Sequence, residues 1–161
     1  MSFTKVTSSI LSGIKVIVNA IKRITNKYEG ANLENEDFQG RELGGKTFRL
    51  SNLSGANLSS CNAKGTDFSY TNMENVNLQN AKLMGADFHT ARLMHANLQN
   101  ANLENANMRS ASLQNADLTG ADLLDCVLTC ANLENAKIDD KWKEFIEDQW
   151  FVAGKDTISW V

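Results

Sequence analysis

From Ala31 to Asp140 a large apolar residue recurs at every fifth position without a slip. The centres run Leu33, Phe38, Leu43, Phe48, Leu53, Leu58 and onward to Ile138, 22 in one register, with Ala63 the single small exception. Two places before each centre stands a small residue, which is Ala in 13 of the 22 pentads. Polar residues, Asn above all, fill the remaining places. A period of five fits neither regular element. On an α-helix five residues turn through about 500°, so successive centres would drift by about 140° and wrap the whole surface. On a continuous strand an odd spacing throws alternate centres to opposite faces. The pattern is satisfied by a backbone that turns a corner every five residues and winds into a coil, with centre and small residue facing the axis.

The spacing of particular residues sets the number of sides. Phe48, Phe68 and Phe88 lie twenty apart, so four pentads per turn stack three rings in one column. Gly45, Gly65 and Gly85 then share a corner, where positive φ is available to glycine. At twenty residues per turn, residues 31–140 make 5.5 coils, a rod about 26 Å long at the usual spacing of roughly 4.8 Å. Asn side chains in register are expected to form ladders between coils. The first coil is ragged: Glu36, Arg41 and Lys46 occupy places where Ala belongs, which predicts a distorted coil whose charges reach outward or meet the N-terminal segment.

Outside the repeat the period changes. Phe3, Val6, Ile10, Ile14, Ile17, Ile21, Ile24 and Tyr28 fall within an arc of about 80° at 100° per residue, which predicts an amphipathic helix over 3–28. Lys5, Lys15, Lys22, Arg23 and Lys27 lie off that arc. Four roles fit the helix: a lid over an open coil end, a surface for self-association or a protein partner, a binder of anionic membrane surface, or an organellar transit segment. Its candidate interaction residues are Ile10, Ile14, Ile17, Ile21 and Ile24. Beyond the repeat, Asp140 suits an N-cap and Gly154 the position just past a helix end. Trp142, Phe145, Ile146 and Trp150 share one helical face, as a lid on the last coil or a dimer interface. The remaining tail is expected to fold back on its apolar residues. The chain thus divides into 1–30, 31–140 and 141–161.

Runs such as AKLMGADF, ANLQNANLENANM and ADLTGADLLDC resemble the pentapeptide-repeat family, whose consensus is A-[DN]-[LF]-x-x. The unbroken style is similar to that of its cyanobacterial members. The resemblance covers residues 31–140 and implies an all-β solenoid, a right-handed four-sided parallel β-helix, here flanked by an N-terminal amphipathic helix and a short C-terminal helix as caps.

Charge and candidate chemistry narrow the functional classes. The net charge of −3 is unevenly spread, at +4 over residues 1–30, −6 over 31–140 and −1 over 141–161. An acidic rod argues against direct binding of nucleic acid. Three cysteines are too few for a disulfide framework and fit a reducing compartment, the cytoplasm. Cys61 and Cys126 fall at inward small places and Cys130 at an outward one, and no His partners complete a metal site. No nucleophile motif or phosphate loop is present, so neither catalysis nor a cofactor is expected. No run of 18 apolar residues occurs, so the helix does not span a membrane. His89 and His95 fall at outward places, His89 in a mildly basic column with Arg49, Ser69, Arg109 and Thr129. Met84 and Leu124 share an outward column with Met94 on a neighbouring side, a candidate apolar patch.

The reading that results is a non-enzymatic interaction or scaffold protein, a rigid rod offered to an unidentified protein partner, with homodimerisation through either terminal helix as an option. Two alternatives stand beside it. The resemblance also implies a DNA-mimicking binder of DNA gyrase or topoisomerase, since some members of the family bind those enzymes. The basic amphipathic helix allows peripheral membrane association.

Overall fold

Each pentad has five places: a small residue, a pairing residue, the centre, a turn residue and a corner residue. The corner is a four-residue turn closed by the next amide, which donates back to the centre's carbonyl, as Glu36 does to Leu33 (3.2 Å) and Ala56 to Leu53 (3.0 Å). Corner residues take left-handed backbone, with φ of 56° at Asn35, 57° at Tyr70 and 74° at Gly120, and the turn residue before them does not. This is the type II pattern, which favours Gly and Asn at the third turn position. Gly45, Gly65 and Gly85 sit at one corner with φ of 66°, 60° and 65°, as the sequence predicts.

Coils stack in parallel with a register of twenty. The computed structural model describes residues 28–161, and across them Asn32 pairs with Asn52, Asn52 with Asn72, and Asp37 with Asn57, the same offset recurring through Asp117 and Lys137. Each side admits one pairing residue between two corners, too little for a named strand. The pairing uses almost every amide. Leu33 donates to the Asn52 carbonyl (2.7 Å), Asn52 donates back to Ala31 (2.9 Å), and corner Asn35 donates to Ser54 (3.0 Å). Buried backbone polar groups must find partners, and here each coil supplies them to its neighbour.

The interior is filled by the centres. From Phe48 to Ile138 they are 0–1% exposed, and Ala at the small place lets the backbone close in. The aromatic column holds four rings, not three. Phe48, Phe68 and Phe88 stack at 5.2 and 5.1 Å, and Tyr28 stacks on Phe48 at 4.5 Å with an interplanar angle of 9°. Tyr28, which helical spacing assigns to the N-terminal helix, therefore belongs to the coil, where its amide donates to Thr47. The coil thus includes Tyr28, three residues before the repeat pattern read from the sequence.

The first coil also differs from expectation. Glu36, Arg41 and Lys46 leave its register intact, because their carbonyls accept from Asn57, Asn62 and Asp67 as alanine carbonyls do elsewhere. Arg41 is exposed and the other two are half-buried.

The C-terminal segment is more broken than one helix from Asp140 to Gly154. A 3-10 turn at Asp140–Trp142 leads into helix α1, Lys143–Glu147, and a second 3-10 turn spans Lys155–Thr157. Ile146 is fully buried, and Trp142 Nε1 donates to the Ala121 carbonyl at 3.0 Å. Trp150 lies beyond α1 and is 75% exposed, so it does not share the buried face of Ile146. The tail folds back by pairing: strand β2, Ser159–Trp160, runs parallel to strand β1, Lys137–Ile138.

Candidate interaction surface

Asn or Asp at the pairing place orders the outer face. Its side-chain oxygen accepts the amide of the turn residue two places on, the one amide the coil ladder leaves over. Gln39 donates to Asp37 (3.0 Å), His89 to Asp87 (2.9 Å) and Thr119 to Asp117 (3.0 Å). The Asn amide then reaches the previous coil, as from Asn72 to Asn52 Oδ1 (3.0 Å) and from Asn107 to Asp87 Oδ1 (2.9 Å). The expected ladders are present, and the turn-capping role comes in addition. Outward side chains thus project from a backbone with little freedom.

One corner departs from the rest. Leu50 and Tyr70 stack there with φ of 60° and 57°, Thr90 follows at 57°, and Leu50 and Tyr70 are 57% and 41% exposed. Left-handed backbone is unfavourable for bulky and β-branched residues. The Arg49 guanidinium lies 4.5 Å from the centre of the Tyr70 ring and its Nη1 donates to Ser69 Oγ at 3.2 Å. The His89 ring meets Tyr70 edge-on at 5.4 Å, with Nδ1 3.2 Å from the Arg109 carbonyl oxygen. Beside this corner an open groove of about 480 Å³ is lined by Leu50, Ser51, Tyr70, Thr71, Thr90 and Arg92, among others. Arg92 pairs with Glu74 at 3.2 Å.

Two carboxylates at pairing places, Asp67 beside this corner and Asp117 on another side of the rod, are tuned by their neighbours. Burial pushes the Asp67 carboxyl up, but hydrogen bonds from Ser69 and Thr47 and the charge of Arg49 outweigh it and hold the group below its ordinary value. Asp117 is lowered in the same way, burial being outweighed by bonds from Thr119 and Gln99 and by Lys137.

The predicted patch is not gathered in one place. Met84 and Met94 are half-buried, and Leu124 is 50% exposed. In the register of twenty, Glu104 stands between Met84 and Leu124, while Glu74 and Gln114 flank Met94. Ile10, Ile14, Ile17, Ile21 and Ile24 lie outside the described residues. Cys126 is buried and Cys130 exposed at the corner of the same pentad, so one thiol faces the core and the other the outside. Sequence reasoning missed Leu50 and Tyr70. The available signal was a large apolar or aromatic residue at a place that otherwise carries mostly Asn, Gly or Ser, and elsewhere Thr90, His95, Asp125 and Cys130.

Comparison with known proteins agrees with this geometry. A family model described as "Pentapeptide repeat region" matches residues 31–108, and "Pentapeptide repeats (8 copies)" matches 106–140. None of the curated proteins matches the chain. Among solved structures, a pentapeptide repeat protein (Rfr23) from the cyanobacterium Cyanothece 51142 is 23% identical, covering 90% of this chain and 99% of that one with a TM-score of 0.70. A pentapeptide repeat protein from the Arabidopsis thaliana thylakoid lumen is 29% identical over 74% of this chain and 76% of that one, with a TM-score of 0.51. With its four-sided coil and with repeat models matching residues 31–140, the chain belongs to the pentapeptide-repeat family of right-handed quadrilateral β-helices.

Proposed function

We propose that the protein is a non-enzymatic interaction scaffold, a rod of about 5.5 coils that presents fixed outward columns to a protein partner in the cytoplasm. One observation carries this reading: the interior is packed solid by the centres, 0–4% exposed from Leu33 to Ile138. Small-molecule chemistry needs a concave, partly enclosed site. A filled solenoid instead offers an extended surface of repeating geometry, suited to macromolecules. In this reading the segment after Asp139 closes the last coil, and residues 1–27 serve as a docking or self-assembly element.

The test is stoichiometric binding. Full-length protein is expected to hold one protein partner at defined stoichiometry in light scattering, and substitution of outward residues alone should abolish it. Turnover of a small molecule by the full chain would overturn the reading. Inhibition of gyrase supercoiling at micromolar concentration would replace it with DNA mimicry. Molar masses of the full chain and of a chain starting at Tyr28 assign the N-terminal segment. A dimer that becomes a soluble monomer marks an assembly element, whereas a monomer whose truncation aggregates marks a lid.

A further inference from the structure

We propose that the Leu124–Val127 corner, at the C-terminal end of the rod, receives residues 1–27 of a second copy, and that two antiparallel copies exchange these segments. Isoleucines of the segment would lie on Leu124 and Val127, with its basic residues on the carboxylates around them. This rests on the reading of residues 1–27 as a self-assembly element and names the surface that takes them.

The corner is apolar where the rest of the rod is not. Val127 is the one apolar residue among the 22 pairing places of the repeat, and it is 42% exposed. Leu124, on the other side of Asp125, is 50% exposed. The closing segment also stops short here. In the coil below, the amides of Leu103 and Asn105 donate to Asp122 and Leu124. In the last coil Leu128 donates to Gln149 Oε1 and Cys130 to the Trp150 carbonyl, while Leu123 and Asp125 have no acceptor among the described residues. Trp150 and Phe151 stand over the neighbouring Cys130 corner and take no part in this contact.

Charge selects the occupant. Bonds from Trp142 Nε1 to Ala121 and from Leu128 to Gln149 tie both flanks of α1 to this part of the last coil. Residues 101–108, 121–128 and 143–148 therefore meet here. They hold six acids, Glu104, Asp122, Asp125, Glu144, Glu147 and Asp148, against the single base Lys143. None of the six is in an ion pair among the described residues, and Lys141 is taken by Asp139. The next cations along the register are Lys82, two coils below Asp122, and Arg109, toward the Cys130 corner. Residues 1–27 lie outside the described residues, and their sequence carries five bases and no acid. Complementary charge steers such a segment to the corner and fixes its register there.

Position selects a second copy over the same chain. Tyr28 stacks on Phe48 in the first coil, five turns of twenty residues before Leu128. Those turns span about 24 Å at roughly 4.8 Å each. A segment of the same chain would spend about 16 residues crossing them, even at the helical rise of about 1.5 Å, and would leave Ile14, Ile17, Ile21 and Ile24 behind. In an antiparallel pair the first coil of each copy lies beside the last coil of the other, so the whole segment is within reach. Gly45, Gly65 and Gly85 line the same corner, and a Cβ at any of them would meet nothing within 4 Å. Two rods can therefore approach along it. A two-fold pair makes each contact twice and closes at two copies.

The experiment is sedimentation equilibrium on full-length chains near physiological salt, where the parent is expected to be a dimer. Reversing the segment (Lys15→Glu, Lys22→Glu and Arg23→Glu) or the corner (Glu104→Lys, Glu147→Lys and Asp148→Lys) should weaken dimerisation by roughly tenfold or more. Mixed together, the two reversed chains should pair, since each then offers the charge that the other lacks. Val127→Asn should weaken the dimer by a similar factor. Asn is the usual residue at pairing places, so this variant should melt no lower than the parent, which separates lost docking from lost fold. A dimer indifferent to both reversals and to Val127→Asn overturns the corner as the receiving surface and leaves the self-assembly reading standing. Reversed chains that fail to pair when mixed overturn the exchange of segments. A monomeric parent overturns both the exchange and the self-assembly role, while the scaffold reading keeps its own test in the binding of a protein partner.

Discussion

Asn or Asp at the pairing place holds the pentad together, and Asp67 shows how. It accepts the Ser69 amide at 2.9 Å, the Ser69 hydroxyl at 2.6 Å and the Thr47 hydroxyl at 3.1 Å. These bonds favour the charged form and hold the carboxyl below its ordinary value. A lowered folded-state value stabilises the fold above about pH 4, and that contribution drains away as pH falls through the folded value. Urea midpoints measured from neutral pH into acid should therefore fall more steeply for the parent than for Asp67→Asn. The two curves should converge at the acid end, and parallel curves would show that these bonds contribute nothing that depends on charge. Cysteine gives a second test at this scale. Burial pushes the thiols of Cys61 and Cys126 up to about 12, with the charge of Glu42 adding at Cys61. Cys130 is exposed, and the thiolate is the reactive form. A disulfide-exchange reagent at mildly alkaline pH should label Cys130 promptly and the other two only after unfolding. Rapid labelling of all three in the native state would show that the core opens.

Columns and turns behave as elements in their own right. Truncating Phe68, at the middle of the stacked rings, removes contacts to Phe48 and Phe88 together. Phe68→Ala is expected to cost about 3–5 kcal/mol in chemical unfolding, and a loss well under that range would mean the column repacks. The core columns were legible in the sequence because period five and register twenty need no knowledge of the ends. Tyr28 was not legible, since an aromatic at helical spacing from Ile24 fits a helix face as well as a ring column, and the stacking on Phe48 decides between them. The C-terminal segment misled in another way. Trp142, Phe145, Ile146 and Trp150 keep helical spacing, yet α1 ends at Glu147 and the chain turns back at Phe151, which has φ of 56°. Tertiary pairing with the last coil overrides local helical preference. Gly154 permits that return: at φ of 76°, a Cβ there would strike the backbone nitrogen and Cα of Glu134. Backbone cannot step aside as a flexible side chain can. Gly154→Ala should speed amide exchange at Ala153, Ser159 and Val161, which donate to Ala131, Ala136 and Ile138, and leave Met73 protected. Unchanged exchange at all four would sink this account of the turn.

For the whole molecule, a stack of identical coils has no natural end, because each coil leaves amides and carbonyls for the next. Exposed edges of this kind template further pairing, and repeat proteins need terminal elements that stop it. Here the segment after Asp139 meets the last coil through both backbone and core. Ala153 donates to Ala131 and Leu133 donates to Ala153, each at 2.9 Å, and Ser159 donates to Ala136 at 2.8 Å. Ile146, Val152 and Ile158 join the core cluster above the final centres. The same segment leaves Trp150 and Phe151 bare, at 75% and 79% exposure, so stickiness of those rings is a rival source of assembly. Two variants separate the causes. Deleting residues 141–161 uncovers the last coil's unpaired groups and should give concentration-dependent association in sedimentation velocity, with the inner coils still protected from exchange. Replacing Trp150 and Phe151 with Ser and Asn keeps the pairing and should leave the mass of the parent unchanged. A deletion variant with the parent's mass and melting temperature would show that the coil tolerates an open edge, and the segment would then have to be explained by something other than closure.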